Sequence, residues 1–255
     1  MSLNMLRWKG GFGGDLLMKL ISESSAVHTN TQFQTGLSSQ GGMLLDFSYL
    51  NIDRLQQIDC IASQEFIPKI DTILLKQELD ALAISDQTWW LKSHYYEQDF
   101  YTDCIVDIVV GQDQLPFAVS ANINKTTTLQ TDFDALVTKI TDPHIRYQYS
   151  IYSVAKDFVC PYQTTRVIQL KQVLSGWDQL KQTLRTFDIT LDDKLKNMYE
   201  NWLAANAKHL SSPIYQYLAQ NNDYNIDHPK LTLIERYCLL VLSGRKFQLL
   251  DKNEI

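Results

Sequence analysis

Leu6-Arg7-Trp8-Lys9-Gly10-Gly11-Phe12-Gly13-Gly14-Asp15-Leu16-Leu17-Met18-Lys19-Leu20-Ile21 is the stretch on which the fold of this chain turns. Four of the chain's 10 glycines stand between positions 10 and 14. A short apolar run precedes them, and Leu16, Leu17, Leu20 and Ile21 follow at helical spacing, so the pattern predicts a strand, a tight loop and a helix N-terminus. Backbone N–H groups of such a loop, unobstructed by Cβ atoms, converge with the positive end of the helix dipole on one point that suits a phosphate or sulfate. The run is not a Walker A sequence, because Asp15 stands where a Lys would follow the last glycine. A second reading of the same residues is a tight turn whose helix N-terminus is neutralised by Asp15 itself.

Bulk composition sets the frame. A chain of 255 residues, 45% hydrophobic, buries a substantial core. The expectation is one α/β domain over residues 1–255, with a helical C-terminal part from about residue 171. The longest apolar candidate for a membrane span, Leu231 to Leu242, is broken by Glu235 and Arg236 and falls short of the ~18 apolar residues a span needs. The start lacks the basic region and small-residue cleavage site of a signal peptide. Cys60, Cys104, Cys160 and Cys238 show no CxxC spacing and read as buried thiols, so a cytoplasmic protein is expected. His28, His94, His144, His209 and His228 form no HxxxH or HExxH arrangement, and no metal site is expected. A net charge of −6 and a pI near 5.3 argue against a broad nucleic-acid-binding face.

Along the chain, Ser22 to Gly42 reads as a surface excursion rich in Ser, Thr, Gln and Gly. Leu44 to Leu50 and Asp59 to Ala62 are short apolar stretches, and a helix is expected from Pro68 through Leu82. Thr88 to Leu91 is a β-rich run ending in Lys92-Ser93-His94, and Cys104 to Val110 is the clearest buried strand, ending at Gly111. A helix over Phe117 to Lys125, an element over Phe133 to Ile140, a tyrosine-rich stretch Tyr147 to Tyr152 and a strand over Thr165 to Leu170 follow. Val173, Leu174, Trp177, Leu180 and Leu184 mark one helix face. Thr190 with Asp193 resembles a capping box before a second face of Leu191, Leu195, Met198 and Trp202, and Leu231 to Leu242 is a last helix.

Alternating strands and helices predict a parallel sheet covered on both sides, whose ligands bind at the carboxyl ends of the strands. Three loops then share one edge: Lys9 to Asp15, Lys92 to His94, and Gly111 to Asp113.

In these loops the chain resembles a divergent member of the sulfotransferase family, P-loop proteins that take a sulfuryl group from 3′-phosphoadenosine 5′-phosphosulfate. Lys9, Gly10, Gly11, Phe12, Gly13, Gly14 and Asp15 look like the family's phosphosulfate-binding loop, one residue longer and with Gly14-Asp15 where hydroxyl residues are usual. Lys92-Ser93-His94 is similar to the family's Lys-Thr-His tripeptide, in which the histidine is the base toward the acceptor. Gln112-Asp113, with Ser120 eight residues after Gln112, resembles the Arg-Asp-Pro loop and serine that hold the 3′-phosphate, with Gln112 in the place of the arginine. Arg166 to Leu184, followed by Phe187, Ile189 and Thr190, is similar to a late strand, loop and helix of the family.

The resemblance implies a three-layer, P-loop-type α/β fold and transfer of a sulfuryl group to a hydroxyl or amine of a small-molecule or carbohydrate acceptor. The catalytic residues would be His94, Lys92 and Lys9, with no metal. Trp89, Trp90, Tyr95, Tyr96, Phe100 and Tyr101 are candidates to line an acceptor pocket, although most such aromatics serve a core. The rival reading is a P-loop-fold binding or interaction protein that has lost the reaction. A nucleotide-dependent kinase is disfavoured, since no GK[ST] follows the glycines and Asp107 lies inside a strand.

Overall fold

The computed structural model describes residues 2–24, 27–29, 31–33, 43–45, 88–93, 103–126, 139–159 and 166–250. They form a mixed α/β protein of two compact units, one built from Met1–Val109 with Tyr162–Ala205, the other from Val110–Pro161 with Asn206–Ile255.

The first unit holds a five-stranded parallel sheet. Its strands are β1 (Ser2–Arg7), β2 (Val27–Thr29), β5 (Thr88–Ser93), β6 (Cys104–Val109) and β7 (Val167–Gln169), in the order β2-β5-β1-β6-β7. β3 (Thr31–Phe33) and β4 (Met43–Leu45) pair separately as an antiparallel ribbon. β1 is central, with β5 on one side and β6 on the other. After β1 the chain goes first to the edge strand β2, returns to β5 between β2 and β1, then crosses to β6 and β7, so the order of the sheet reverses at β1. Open parallel sheets bind ligands at the carboxyl ends of the strands at such a reversal.

β1 reads as a buried strand because Asn4, Met5, Leu6 and Arg7 are all buried. The charge among them is matched across the sheet. Arg7 stands opposite Asp107 of β6, and its Nε and Nη2 donate to the two carboxylate oxygens at 2.7 and 3.0 Å. Arg7 is 3% exposed and Asp107 0%, so each charge is tolerable only because of the other.

Helix α1 (Gly14–Ser22) buries Leu16, Leu17, Met18, Leu20 and Ile21, and leaves Lys19 near its C-terminal end, where a cation suits the dipole. Five such side chains, at roughly 1.5–3 kcal/mol each, bind this helix to the unit far more strongly than helix propensity does. Later come α4 (Leu170–Leu174), α5 (Trp177–Arg185) and α6 (Lys196–Asn206). Val173 to Leu184 is two helices where one face was expected, because Gly176 at φ 107 breaks the run. The break is bolted by Tyr199, whose hydroxyl donates to the Val173 carbonyl at 2.8 Å and accepts from the Gly176 N–H at 2.9 Å. The expected capping box at Thr190 is also corrected. Asp192 accepts from the Lys194 N–H at the head of a short 3-10 turn over Asp193–Leu195.

Three further expectations change. Val27–Thr29 is an edge strand inside the stretch read as a surface excursion. Lys92 and Ser93 are the last residues of β5, not a loop, because parallel pairing with Leu6 and Arg7 extends to them. Cys104 is half-buried beside Arg166, whose guanidinium lies 3.0 Å from its Sγ, while Cys238 is buried as expected. The helix expected from Pro68, the stretch Asp59 to Ala62, most of Phe133 to Ile140, and Cys60 and Cys160 lie outside the described residues.

The second unit is helical: α2 (Leu115–Thr126), α3 (Pro143–Phe158), α7 (Pro213–Gln220) and α8 (Leu233–Leu242). α3 starts at Pro143 with Asp142 accepting the His144 N–H at 2.8 Å, and it absorbs the tyrosine-rich stretch. Ser212 caps α7. α8 opens with a Thr232/Glu235 capping box, so the acid that interrupts the apolar run sets the helix start. Buried Glu235 also accepts the Ser212 N–H at 2.6 Å. No helix among the described residues is long and apolar enough to cross a membrane.

The Arg7–Asp107 pair generates a test. Removing one partner, by Arg7→Met or Asp107→Leu, should cost about 3–5 kcal/mol in urea unfolding, while the double variant should recover most of that loss. Losses that simply add would show that the two side chains do not act as a pair.

Candidate functional site

The glycine loop leaves the carboxyl end of the central strand and enters α1. After Trp8, a turn closes with the Phe12 N–H donating to the Lys9 carbonyl at 3.2 Å. Gly11 at φ 89 and Gly13 at φ 73 are left-handed, which L side chains adopt at a cost of roughly 1–2 kcal/mol. Gly13 is the N-cap of α1, its carbonyl accepting the Leu17 N–H at 3.1 Å, and no side chain caps the helix from that position. Consecutive glycines in this geometry present backbone N–H groups at the positive end of a nine-residue helix. Asp15, half-buried in the first turn, is a residue of the helix and not its cap. Lys9 is half-buried at the start of the loop.

Side chains packed to the limit hold the loop. A Cβ on Gly14 would stand 2.1 Å from the Cγ and Cδ2 of the buried Trp8 indole, so the backbone of α1 rests directly on that ring. A Cβ on Gly13 would meet Trp202 of α6 at 3.2 Å and Val173 of α4 at 3.4 Å. Phe12, fully buried, anchors the middle of the loop. Trp202, read from sequence as a packing residue, is thus part of the wall of the glycine loop.

Parallel pairing brings the second candidate element to the same edge. Lys92 is the register partner of Leu6 and Ser93 that of Arg7, so β5 ends beside the residues that lead into the loop. His94 lies outside the described residues, as do Tyr95, Tyr96, Phe100 and Tyr101. Trp90 is buried, 1% exposed, and serves the core.

The third element belongs to the second unit. A 3-10 turn over Gln112–Gln114 follows Gly111, with the Gln112 side chain exposed. Tyr215 donates to the Gln112 carbonyl at 2.8 Å and Ser211 to the Asp113 carbonyl at 2.7 Å. Burial, with Cys238 and Glu235 nearby, pushes the Tyr215 phenol far above its ordinary pKa, so it stays a donor. The Ser120 hydroxyl is 2.7 Å from Nδ1 of His209, a ring that is 6% exposed and edge-on to Phe117.

Sequence reasoning missed the Arg7–Asp107 pair and the Ser120–His209 pair. The first had a signal: one Arg and one Asp, each inside an apolar strand, must find each other if both strands are buried. The second had none, since 89 residues separate its members and His209 follows an ordinary helix.

A scan against family models and searches of curated proteins and of solved structures return no match to this chain.

Two predictions follow from this geometry. Gly14→Ala should destabilise the protein more than Gly13→Ala, by about 1–3 kcal/mol or more against about 1–2 kcal/mol. Trp8→Leu should relieve the Gly14→Ala defect in a double-variant cycle of unfolding measurements, and independent losses would contradict the close approach. His209 carries the pH prediction. Burial first, then the charge of Lys208, lowers its pKa below 6.5. Below pH 6.5 the unfolded chain binds the proton that the folded imidazole refuses, so stability is full above that value and falls as pH drops. His209→Asn should flatten the fall in melting temperature between about pH 6.5 and 5. An unchanged slope would remove His209 as its source.

Proposed function

We propose that this chain is a sulfotransferase-like protein of P-loop type, acting on a hydroxyl or amine of a small-molecule or carbohydrate acceptor. One observation carries the reading: left-handed glycines 11 and 13 turn the chain from the end of the central strand into the N-terminus of α1, beside the end of β5. Gly14 serves the packing beneath the loop, since a Cβ there would strike the buried Trp8 ring. Bound there, 3′-phosphoadenosine 5′-phosphosulfate supplies a sulfuryl group for in-line transfer without a covalent intermediate. The loop amides from Gly11 to Gly14, apart from the Phe12 N–H that closes the turn, and the Lys9 ammonium hold the 5′-phosphosulfate end. His94, just past β5, takes the proton of the acceptor, and Lys92 offsets charge at the transferring group. Gln112 and Ser120, to which the family resemblance gives the 3′-phosphate, belong to the second unit and are left out of this site.

A second reading, a P-loop-fold binding protein without the reaction, is favoured by Asp15 in the first turn of α1 and by Gln112 in place of a bidentate arginine. A carboxylate about 5 Å from a phosphate is repelled by roughly 3 kcal/mol per unit charge at an effective dielectric near 20.

Adenosine 3′,5′-bisphosphate should raise the melting temperature and release or absorb heat in titration calorimetry. Neither signal at millimolar concentration removes the donor from the reading. With binding in hand, His94→Ala should lower turnover by about 10²–10⁴-fold at nearly constant donor affinity. Wild-type turnover in that variant excludes His94 as the base, and no transfer by the wild-type protein to any acceptor in a broad screen favours the binding protein.

A further inference from the structure

Within the helical unit, the segment Arg245 to Leu250 leaves α8 through Gly244 at φ 71 and returns onto α3 without regular secondary structure. Phe247 enters a cage of Tyr149 and Tyr152 from α3 and Tyr237 from α8, with ring centroids 5.2, 5.6 and 5.9 Å away. Beyond it the main chain is read by one fully buried carboxamide. Gln148 Oε1 accepts the Leu250 N–H at 3.0 Å, and Gln148 Nε2 donates to the Leu250 carbonyl at 3.3 Å. The Tyr237 hydroxyl shares its one proton between Gln148 Oε1 and the Gln248 carbonyl, the latter at 2.9 Å.

These bonds orient Gln148 with its amide nitrogen toward His144. Gln148 Nε2 lies 2.7 Å from His144 Nε2. An amide nitrogen only donates, so the ring nitrogen must accept, and the imidazole must be neutral with its proton on Nδ1. A second proton turns both ring nitrogens into donors and sets N–H against N–H. Rotating the carboxamide would turn its oxygen to the imidazolium, and its amino group would donate to the Tyr237 hydroxyl. It would also turn the oxygen onto the Leu250 carbonyl and the amino group onto the Leu250 N–H. A protonated His144 therefore opposes the carboxamide orientation that docks Leu250.

We infer that His144 and Gln148 form a proton-operated clasp for the segment 245–250, closed when the imidazole is neutral and released when it is protonated. The surrounding charges have other partners or act locally. Asp142 caps α3 and accepts the His144 N–H, and Arg146 turns to the Ile140 carbonyl at 2.9 Å. On α8, Glu235 is held by Ser212 and Thr232, while Arg236 and the buried Cys238 are the other ionisable groups beside Tyr237. α2, also packed on α3, carries Lys125 as its one ionisable side chain. In the segment, Arg245 bonds Ser243 and the Tyr224 carbonyl, and Lys246 is exposed. Release opens the tyrosine cage that Phe247 fills. The clasp is independent of the proposed sulfuryl transfer.

The test is amide hydrogen exchange at Leu250 by NMR, divided by the intrinsic rate at each pH. Between about pH 8 and pH 5 wild-type protection should fall at least about tenfold, while His144→Gln, a neutral acceptor throughout, should keep its high-pH value. A ring-fluorinated Phe247 should report the same release as a shift of its fluorine resonance in the wild-type protein. Protection that holds in acid in the wild type, or that falls equally in both proteins, overturns the clasp.

Discussion

Two opposite charges sealed inside a parallel sheet constrain the first unit. Arg7 and Asp107, joined by two short bonds, sit where water cannot reach them. Such a pair adds little net stability against an apolar alternative, but either member alone would be costly. A slip of β1 by one residue would throw Arg7 to the opposite face and leave Asp107 buried without its partner. The pair therefore holds the register of β1 on β6, and Lys9 and the glycines begin two residues further on.

The loop inherits that precision through packing. Gly14 rests on Trp8, Gly13 faces Trp202 and Val173, and Phe12, just before them in sequence, is buried. A backbone so enclosed presents its N–H groups with little reorganisation, which is what electrostatic stabilisation of an anion requires. Tolerance for side chains at these glycines is low for the same reason. For the proposed anion site, Asp15, the one acid in the first turn, would set the electrostatic limit on the charge of a ligand at this N-terminus.

Much of this architecture was legible in the residues. The strand, loop and helix at the N-terminus, β5, β6 and the last helix are where apolar period and glycine placed them. Shorter elements escaped, since Val27–Thr29 gains its strand character from pairing with β5 and not from its own composition. Val173 to Leu184 reads as one amphipathic face because periodicity does not register the positive φ of Gly176. The extent of β5 was misjudged because Lys92 and Ser93 are polar, yet pairing with β1 carries the strand through them. The hydrogen bonds of Gln148 to Tyr237 and Leu250 were invisible, because 89 and 102 residues separate the partners.

Backbone amides at the loop are the most direct witnesses to the proposed anion site. With ¹⁵N-labelled protein, adenosine 3′,5′-bisphosphate should move the resonances of Gly10, Gly11, Gly13 and Gly14 together along one saturable curve, weakened by added salt. Glycine resonances that stay still at millimolar ligand, or a saturable response confined to residues outside the loop, would contradict an anion site at the end of β1.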